Sequence, residues 1–235
     1  MLFLVDSAIF DRFPDTRIGV IAASRLDNRG ESPDILNELR QAQIELRRSL
    51  QSTPVVEHPR ISIWREAYRK FGAKPKKHPS SIENLVRRVL KGEDIRPINK
   101  LVDIYNTVSL RHLLPVGGED LVQIAGDIRL TIAGDAEAPI TLLGETDPRA
   151  PNLGEVIYKD DLGAICRRWN WKEADRTKIN ETTTRAVFVI ESLPPVRRLE
   201  LESAMSDLAN RLVRFCSAEL ESAVLSESRT EMELY

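Results

Sequence analysis

Between about residues 34 and 192, apolar residues along this chain change their period once, near Pro115, and that change limits the fold more than any single motif does. Before it, apolar side chains recur every three or four residues, the spacing that gives a helix one buried stripe. Ile35, Leu39, Ala42, Leu46 and Leu50 predict a helix from about Asp34 to Leu50, with Ser32 as its cap and Pro33 in the first helical position. Ile63, Trp64, Ala67, Tyr68 and Phe71 predict a second, ended by Gly72. Ser80 with Glu83 makes a capping-box pattern that opens a third, closed by Gly92. A fourth fits Ile95 to Leu110, where Ile98, Leu101, Val102, Tyr105 and Val108 form the apolar side.

Beyond Pro115 the apolar runs shorten to LVQIAG, IRLTIAG, ITLLG, EVIYKD, GAICRR and AVFVIES, each bounded by turn residues, which is the signature of strands. RIGVIAAS (Arg17 to Ser24) and the opening MLFLV read the same way. Pro194 and Pro195 break the chain, and Leu201, Leu208, Leu212 and Phe215 build a last helix from about Val196 to Ser217. Residues 218–235 are rich in Ser and Glu, carry no stripe and are expected to fray. Helices grouped before strands predict an α+β fold: one domain over residues 1–217, a mixed or antiparallel sheet with flanking helices, and a C-terminal amphipathic helix. A chain of 235 residues can bury one sizeable core.

No apolar run approaches the ~20 residues that a membrane span requires. Asp6 and Asp11 stand where a signal peptide would need a basic start, so a cytoplasmic protein without a membrane partner is expected. Cys166 and Cys216 form no CxxC pair, and His58, His78 and His112 are scattered, so no metal and no cofactor are expected. Cys166 reads as a small buried hydrophobe rather than a nucleophile. No GxSxG elbow is present.

Net charge is only −2, but the charge is unevenly placed. KPKKHP, holding Lys74, Lys76 and Lys77, lies between the second and third helices, and with Arg65, Arg69, Lys70, Arg87 and Arg88 it is the densest basic region. It is either a phosphate-contacting surface or a solvated helix pair with a basic connector. Asn99, Asp103 and Asn106 stand at i, i+4 and i+7, on a strip opposite the apolar side, where short polar groups point to fixed hydrogen bonding or to an ordinary exposed face. Gly117 and Gly118 either form a turn or bring two backbone N–H groups close to a substrate. Trp169 and Trp171 flank Asn170, as core and surface of one strand or with Trp169 as a stacking platform for a base.

NKLVDIYNTVSLRHLLPVGGED resembles a segment of the editing domain of the phenylalanyl-tRNA synthetase beta subunit, with Asn99, Val102, Asp103, Asn106, Val108, Pro115 and Asp120 in matching places. GEVIYKDDLGAICRRWNWKEADRTKINETTTRAVFVIE resembles that domain's later stretch, and WREAYRKFGAKPKKHPSSIENLVRRVLKG is similar to free-standing B3/B4 proteins. The similarity spans roughly residues 60 to 191.

The resemblance implies a B3/B4-like cleft that accepts the aminoacylated 3′ end of tRNA and hydrolyses the ester of a wrong amino acid, most of all canavanine on the arginine tRNA. It implies catalytic places for Asn106, Gly117, Gly118 and Thr183, and substrate contacts for Asn99, Asp103, Ser109, Asp120, Glu145, Arg167, Arg168, Trp169 and Asn170. It also implies tRNA contacts for Arg65, Arg69, Lys74, Lys76, Lys77, Arg87 and Arg88. Two departures stand out. The synthetase's pocket histidine is replaced here by Gly117, and its glycine-rich loop by Arg167, Arg168, Trp169 and Asn170, which implies a pocket rebuilt for a substrate other than tyrosine.

A cationic arginine mimic would need an acidic acceptor, for which Asp120, Glu145, Glu155 and Asp161 are the candidates. Editing of seryl-, threonyl- or tyrosyl-tRNA, a noncatalytic tRNA-binding module and a small-molecule hydrolase remain the alternatives.

Overall fold

The computed structural model describes residues 1–50 and 54–234. Strand β1 (Leu2–Val5) leads through α1 (Ser7–Arg12) to β2 (Arg17–Ser24). The four helices that follow are α2 (Pro33–Ser49), α3 (Pro59–Lys70), α4 (Ser81–Leu90) and α5 (Lys100–His112). Next come β3 (Val116–Asp120), β4 (Ile128–Ile132), β5 (Val156–Asp160), β6 (Gly163–Arg167), β7 (Lys172–Glu173) and β8 (Ala186–Ser192). The chain closes with α6 (Arg198–Cys216), β9 (Glu219–Leu225) and β10 (Glu231–Glu233).

The helix starts follow the capping residues. Ser32 Oγ accepts from the Ile35 amide at 3.5 Å, and Ser80 Oγ accepts from the Glu83 amide at 3.4 Å. Glu83 does not complete the box, because its buried carboxylate turns to Arg65 and Arg87, each at 2.6 Å. At the other end of α5, Leu113 takes the left-handed C-cap conformation.

The strands form two sheets, one six-stranded in the order β10-β1-β4-β5-β6-β7 and one four-stranded in the order β3-β8-β2-β9. The first is mixed, since β1 and β4 run parallel while its other pairs are antiparallel. The second is antiparallel throughout. Strand β2 lies inside it and is buried on both faces, so its run is apolar without alternation. Ile21 and Ala23 pack with α5 and α6, while Ile18, Val20 and Ala22 join Phe3 and Trp64 in the core toward the other sheet. Helix α6 lies so close that a Cβ on Gly19 would stand 2.6 Å from Met205 Sδ.

Two expectations are corrected, for the C-terminal residues and for two strands, and two open readings are decided. The C-terminal residues do not fray: β9 pairs with β2 along its length, β10 pairs with β1, and Ala223, Leu225, Met232 and Leu234 are buried. Their pattern has period two, so no helical stripe appears. Gly117 and Gly118 lie inside β3 rather than in a turn. Glycine serves close approach here, because a Cβ on Gly118 would stand 2.8 Å from Phe188 Cδ1 and one on Gly117 2.9 Å from Glu173 Oε1. LVQIAG and ITLLG are no regular strands: Leu121–Gln123 form a 3-10 turn, and Ile140 and Leu142 make isolated bridges only. Finally, the Asn99, Asp103 and Asn106 strip is buried, since α5 sits between α2, α6 and the second sheet.

Candidate functional site

Between the two sheets and the N-terminal half of α4 lies a cavity of about 720 Å³. Its walls follow strand parity. Val187, Val189 and Glu191 of β8 line it, whereas Ala186, Phe188 and Ile190 of the same strand join the core under α5 and α6. Val116, Ile128, Ile165 and Val102 add apolar surface, and Ser81, Asn84, Leu85 and Arg88 of α4 form part of the rim.

Three carboxylates line this cavity: Glu119 from β3, Glu173 from β7 and Glu191 from β8. Glu191 is held at both oxygens, by the Tyr158 hydroxyl at 2.7 Å and the Asn170 amide at 2.6 Å, and the Tyr68 hydroxyl donates to Asn170 Oδ1 at 2.8 Å. Burial pushes its carboxyl up to about 7 despite these donors. Glu119 is 8% exposed, and its Oε2 is buried with no hydrogen-bond partner. Burial first, and then the neighbouring Glu173, push the Glu119 carboxyl well above the usual carboxylate range. Burial also raises the partly buried Glu173 to about 7, opposed by a hydrogen bond from the Gly118 amide.

The turn after β6 shapes one wall. Arg168 and Trp169 both have positive φ, 49° and 65°, a conformation that costs a non-glycine residue energy and needs support. Glu155 provides it. Its carboxylate accepts from Arg167 Nε and Nη2, both at 2.8 Å, and from the Arg168 amide at 3.1 Å. The Trp169 amide bonds to Val156 O at 2.7 Å. The turn thereby drives Trp169 into the core, edge-on to Trp64 and Phe13, and leaves Asn170 and Trp171 on the cavity. The Arg168 guanidinium stacks 4.4 Å from the Trp171 ring centre, and His78 meets the same ring edge-on. Burial, then the Arg168 charge, lower His78 to about 4 and keep it neutral.

Residues 63–226 match the B3/4 domain family. The chain belongs to that family. Among solved structures, it is similar to an N-terminal fragment of the phenylalanyl-tRNA synthetase beta-subunit from Pyrococcus horikoshii, at 10% identity and a TM-score of 0.48. The match covers 94% of this chain and 53% of the fragment, so the chain spans about half the length of that relative. No curated protein matches the chain.

Within this B3/4 domain, the site residues expected from the sequence divide. Asn106, Gly117, Gly118, Trp169 and Asn170 line the cavity. The Asn106 side chain has no hydrogen bond to any described residue and so faces the cavity without a partner. Asn99 and Asp103 instead serve α5: Asn99 Oδ1 caps the Val102 amide at 3.1 Å, and Asp103 Oδ1 accepts from the Ile98 amide at 3.0 Å. Burial raises Asp103 to about 6. Ser109 bonds to Leu114 O at 2.6 Å, and Thr183 donates to Asp120 Oδ2 at 2.7 Å; neither lines the cavity. Arg167 is a buried partner of Glu155, and Glu145 pairs with Lys172 at 2.7 Å.

The two glycine amides do not converge. Leu121 N bonds across to Arg185 O on the β8 side, while Asp120 N bonds outward to Thr177 O, so successive amides of β3 alternate. Only the Gly118 amide faces outward, on the side of the Glu173 carboxylate. Trp169 borders the cavity from the core side, wholly buried and packed edge-on to Trp64 and Phe13.

Asp120, Glu145, Glu155 and Asp161 do not line the cavity, whereas Glu119, Glu173 and Glu191, passed over in the sequence, do. Among the described residues, no group of three or more His, Cys, Asp or Glu side chains could hold a metal ion. No helix of the described residues is long and apolar enough to cross a membrane. In the basic region, Arg65 and Arg87 are occupied by Glu83, and Arg88 lines the cavity. Arg69, Lys74, Lys76 and Lys77 are exposed.

Proposed function

We propose that this B3/4 domain is a hydrolase acting in trans on mischarged tRNA, with canavanyl-tRNA(Arg) as its main substrate. The observation that carries the reading is a largely apolar cavity large enough for an amino acid, lined by three carboxylates, with exposed lysines in the segment that leads into α4. An aminoacyl ester is an activated acyl group, so its hydrolysis needs a positioned water, a donor for the developing oxyanion and a proton route, which the ribose hydroxyl or the amine of the substrate can supply. Asn106 is the donor in this account. Cys166 also lines the cavity, but burial raises its thiol well above the ordinary value, so it is a poor nucleophile and the ester is attacked by water. Lys74, Lys76 and Lys77 contact tRNA phosphates.

One observation favours a noncatalytic tRNA-binding module instead: the Gly118 amide, the one glycine donor aimed outward, is directed to the Glu173 carboxylate rather than to open space in the cavity. Offering the purified protein canavanyl-, arginyl-, tyrosyl-, seryl- and threonyl-tRNA side by side, and measuring the release of each amino acid, tests the reading. Release of canavanine with arginine retained is expected. Selective loss of serine or tyrosine would remove the substrate assignment and keep the reaction class. Tight tRNA binding without release from any of the five would leave the binding module.

A further inference from the structure

The structure assigns to Glu119 and Glu173 a subsite for a guanidinium group at the acidic end of the cavity. It rests on the proposed reaction only for what carries that group there. The charges around the pair are otherwise balanced. Arg176 holds Asp160 with two bonds, at 2.8 and 3.0 Å. Lys172 pairs with Glu145, Lys178 with Asp175, and Arg167 with Glu155. None of these cations forms an ion pair with Glu119 or Glu173, although the Arg176 charge reaches Glu119; of the other two cations on the cavity, Arg88 lies 3.8 Å from Glu93 and Arg96 is exposed. Glu191, from the adjoining strand, is satisfied by two neutral donors and adds a further acid rather than a counter-charge. The remaining ionisable groups toward the pair are the Tyr105 phenol of α5 and the Cys166 thiol of β6, both of which burial and these same acids hold in the neutral form.

A carboxylate taken out of water without a cation is unfavourable, and it either keeps a proton or waits for a positive ligand. Two features of the cavity select the second outcome. Glu119 Oε2 is buried and unpartnered on the cavity wall. Residue 117 is glycine, and a Cβ there would lie 2.9 Å from Glu173 Oε1, so the strand leaves room for that carboxylate to stand against it. The apolar walls suit a methylene stem. Two neighbouring carboxylates offer acceptors to a planar fork of five N–H donors, more than the three of an ammonium can satisfy, which points to guanidinium rather than lysine-type ligands. The raised carboxyls add a proton to the exchange: below neutral pH, entry of the cation displaces a proton held by the pair.

Calorimetric titration of the whole chain with L-arginine, L-canavanine, L-lysine and L-citrulline tests this without tRNA, citrulline being the neutral isostere of arginine. Arginine and canavanine are expected to bind at least about tenfold more tightly than citrulline or lysine at pH 6, and arginine, whose guanidinium stays charged throughout, more tightly at pH 8 than at pH 6. Glu119→Gln and Glu173→Gln are each expected to lose about tenfold or more in arginine binding while citrulline binding stays unchanged and the melting temperature holds or rises. Citrulline or lysine binding as tightly as arginine, the double Gln variant binding arginine like the parent, or no binding of either guanidinium ligand would overturn the assignment. Guanidinium binding with no hydrolysis of any charged tRNA would keep the subsite and remove the proposed reaction. Hydrolysis that ignores the side-chain charge would do the reverse.

Discussion

Glu155 and Glu119 are both buried, at 2% and 8% exposure, yet they are treated in opposite ways. Burial pushes the Glu155 carboxyl up, but the Arg167 hydrogen bond and the charges of Arg168 and Arg167 outweigh it, and its pKa is lowered. Glu119 forms no ion pair, and burial and the neighbouring Glu173 outweigh the Thr177 hydrogen bond and the Arg176 charge, so its carboxyl is raised. Glu155 pins the turn that positions Trp169, Asn170 and Trp171. Glu119 keeps one oxygen buried without a partner, and it lies on a cavity. A compensated acid in this domain supports the fold, and an uncompensated acid serves whatever enters.

That contrast can be broken most severely at Glu155. Glu155→Ala leaves Arg167 buried without a partner and the left-handed turn unsupported, and is expected to cost about 3–5 kcal/mol in chemical denaturation. A loss below about 1 kcal/mol would mean that the turn stands without it.

The opposite sign is expected at Glu173. Its folded pKa is raised to about 7, so the stability linked to its protonated form is present at low pH and is lost as pH rises from the ordinary carboxylate value near 4.5 through 7. Glu173→Gln removes that loss. The variant should therefore gain in melting temperature over the parent between pH 5 and pH 8, with the difference level above that range. A constant difference at every pH would contradict the raised carboxyl.

Asn106 sharpens the comparison as a cavity residue with no structural bond. Asn106→Ala is expected to lower deacylation by about a hundredfold or more while changing stability by no more than about 1 kcal/mol. Parallel loss of melting temperature and activity would make it structural. The smallest effect on the fold is expected from joint replacement of Lys74, Lys76 and Lys77 by Ala: stability within about 0.5 kcal/mol, but weaker tRNA binding and a salt dependence flattened by about one in slope for each lost phosphate contact. An unchanged slope would put the tRNA elsewhere.

Most elements were legible because their periods are local. RIGVIAAS, the Ser32 and Ser80 starts and the stripe of α6 fall where spacing and capping chemistry put them. What the sequence hid depends on tertiary neighbours. The polar strip of α5 could be read as fixed hydrogen bonding or as an exposed face because short polar groups carry no sign of what covers them, and the glycines of β3 left a turn open because the side chains that need the space, Phe188, Ile179 and Glu173, lie far along the chain. The need for an acidic end to the cavity follows from charge chemistry, but the choice of acids does not, since burial of a glutamate is set by the strand facing it. One signal was available: Val187, Val189 and Glu191 share a face of β8, so an acid there ends an otherwise apolar row. Glu119 and Glu173 had no such marker.

The central claim is that this cavity hydrolyses an aminoacyl ester rather than only holding it. Single-turnover mixing of excess protein with canavanyl-tRNA(Arg), following free canavanine and bound tRNA in the same samples, tests it directly. The account predicts rapid release by the parent chain, with Asn106→Ala binding the tRNA equally well and releasing canavanine far more slowly. Saturated tRNA binding with canavanine still esterified, at the same level as in the absence of protein, would contradict it.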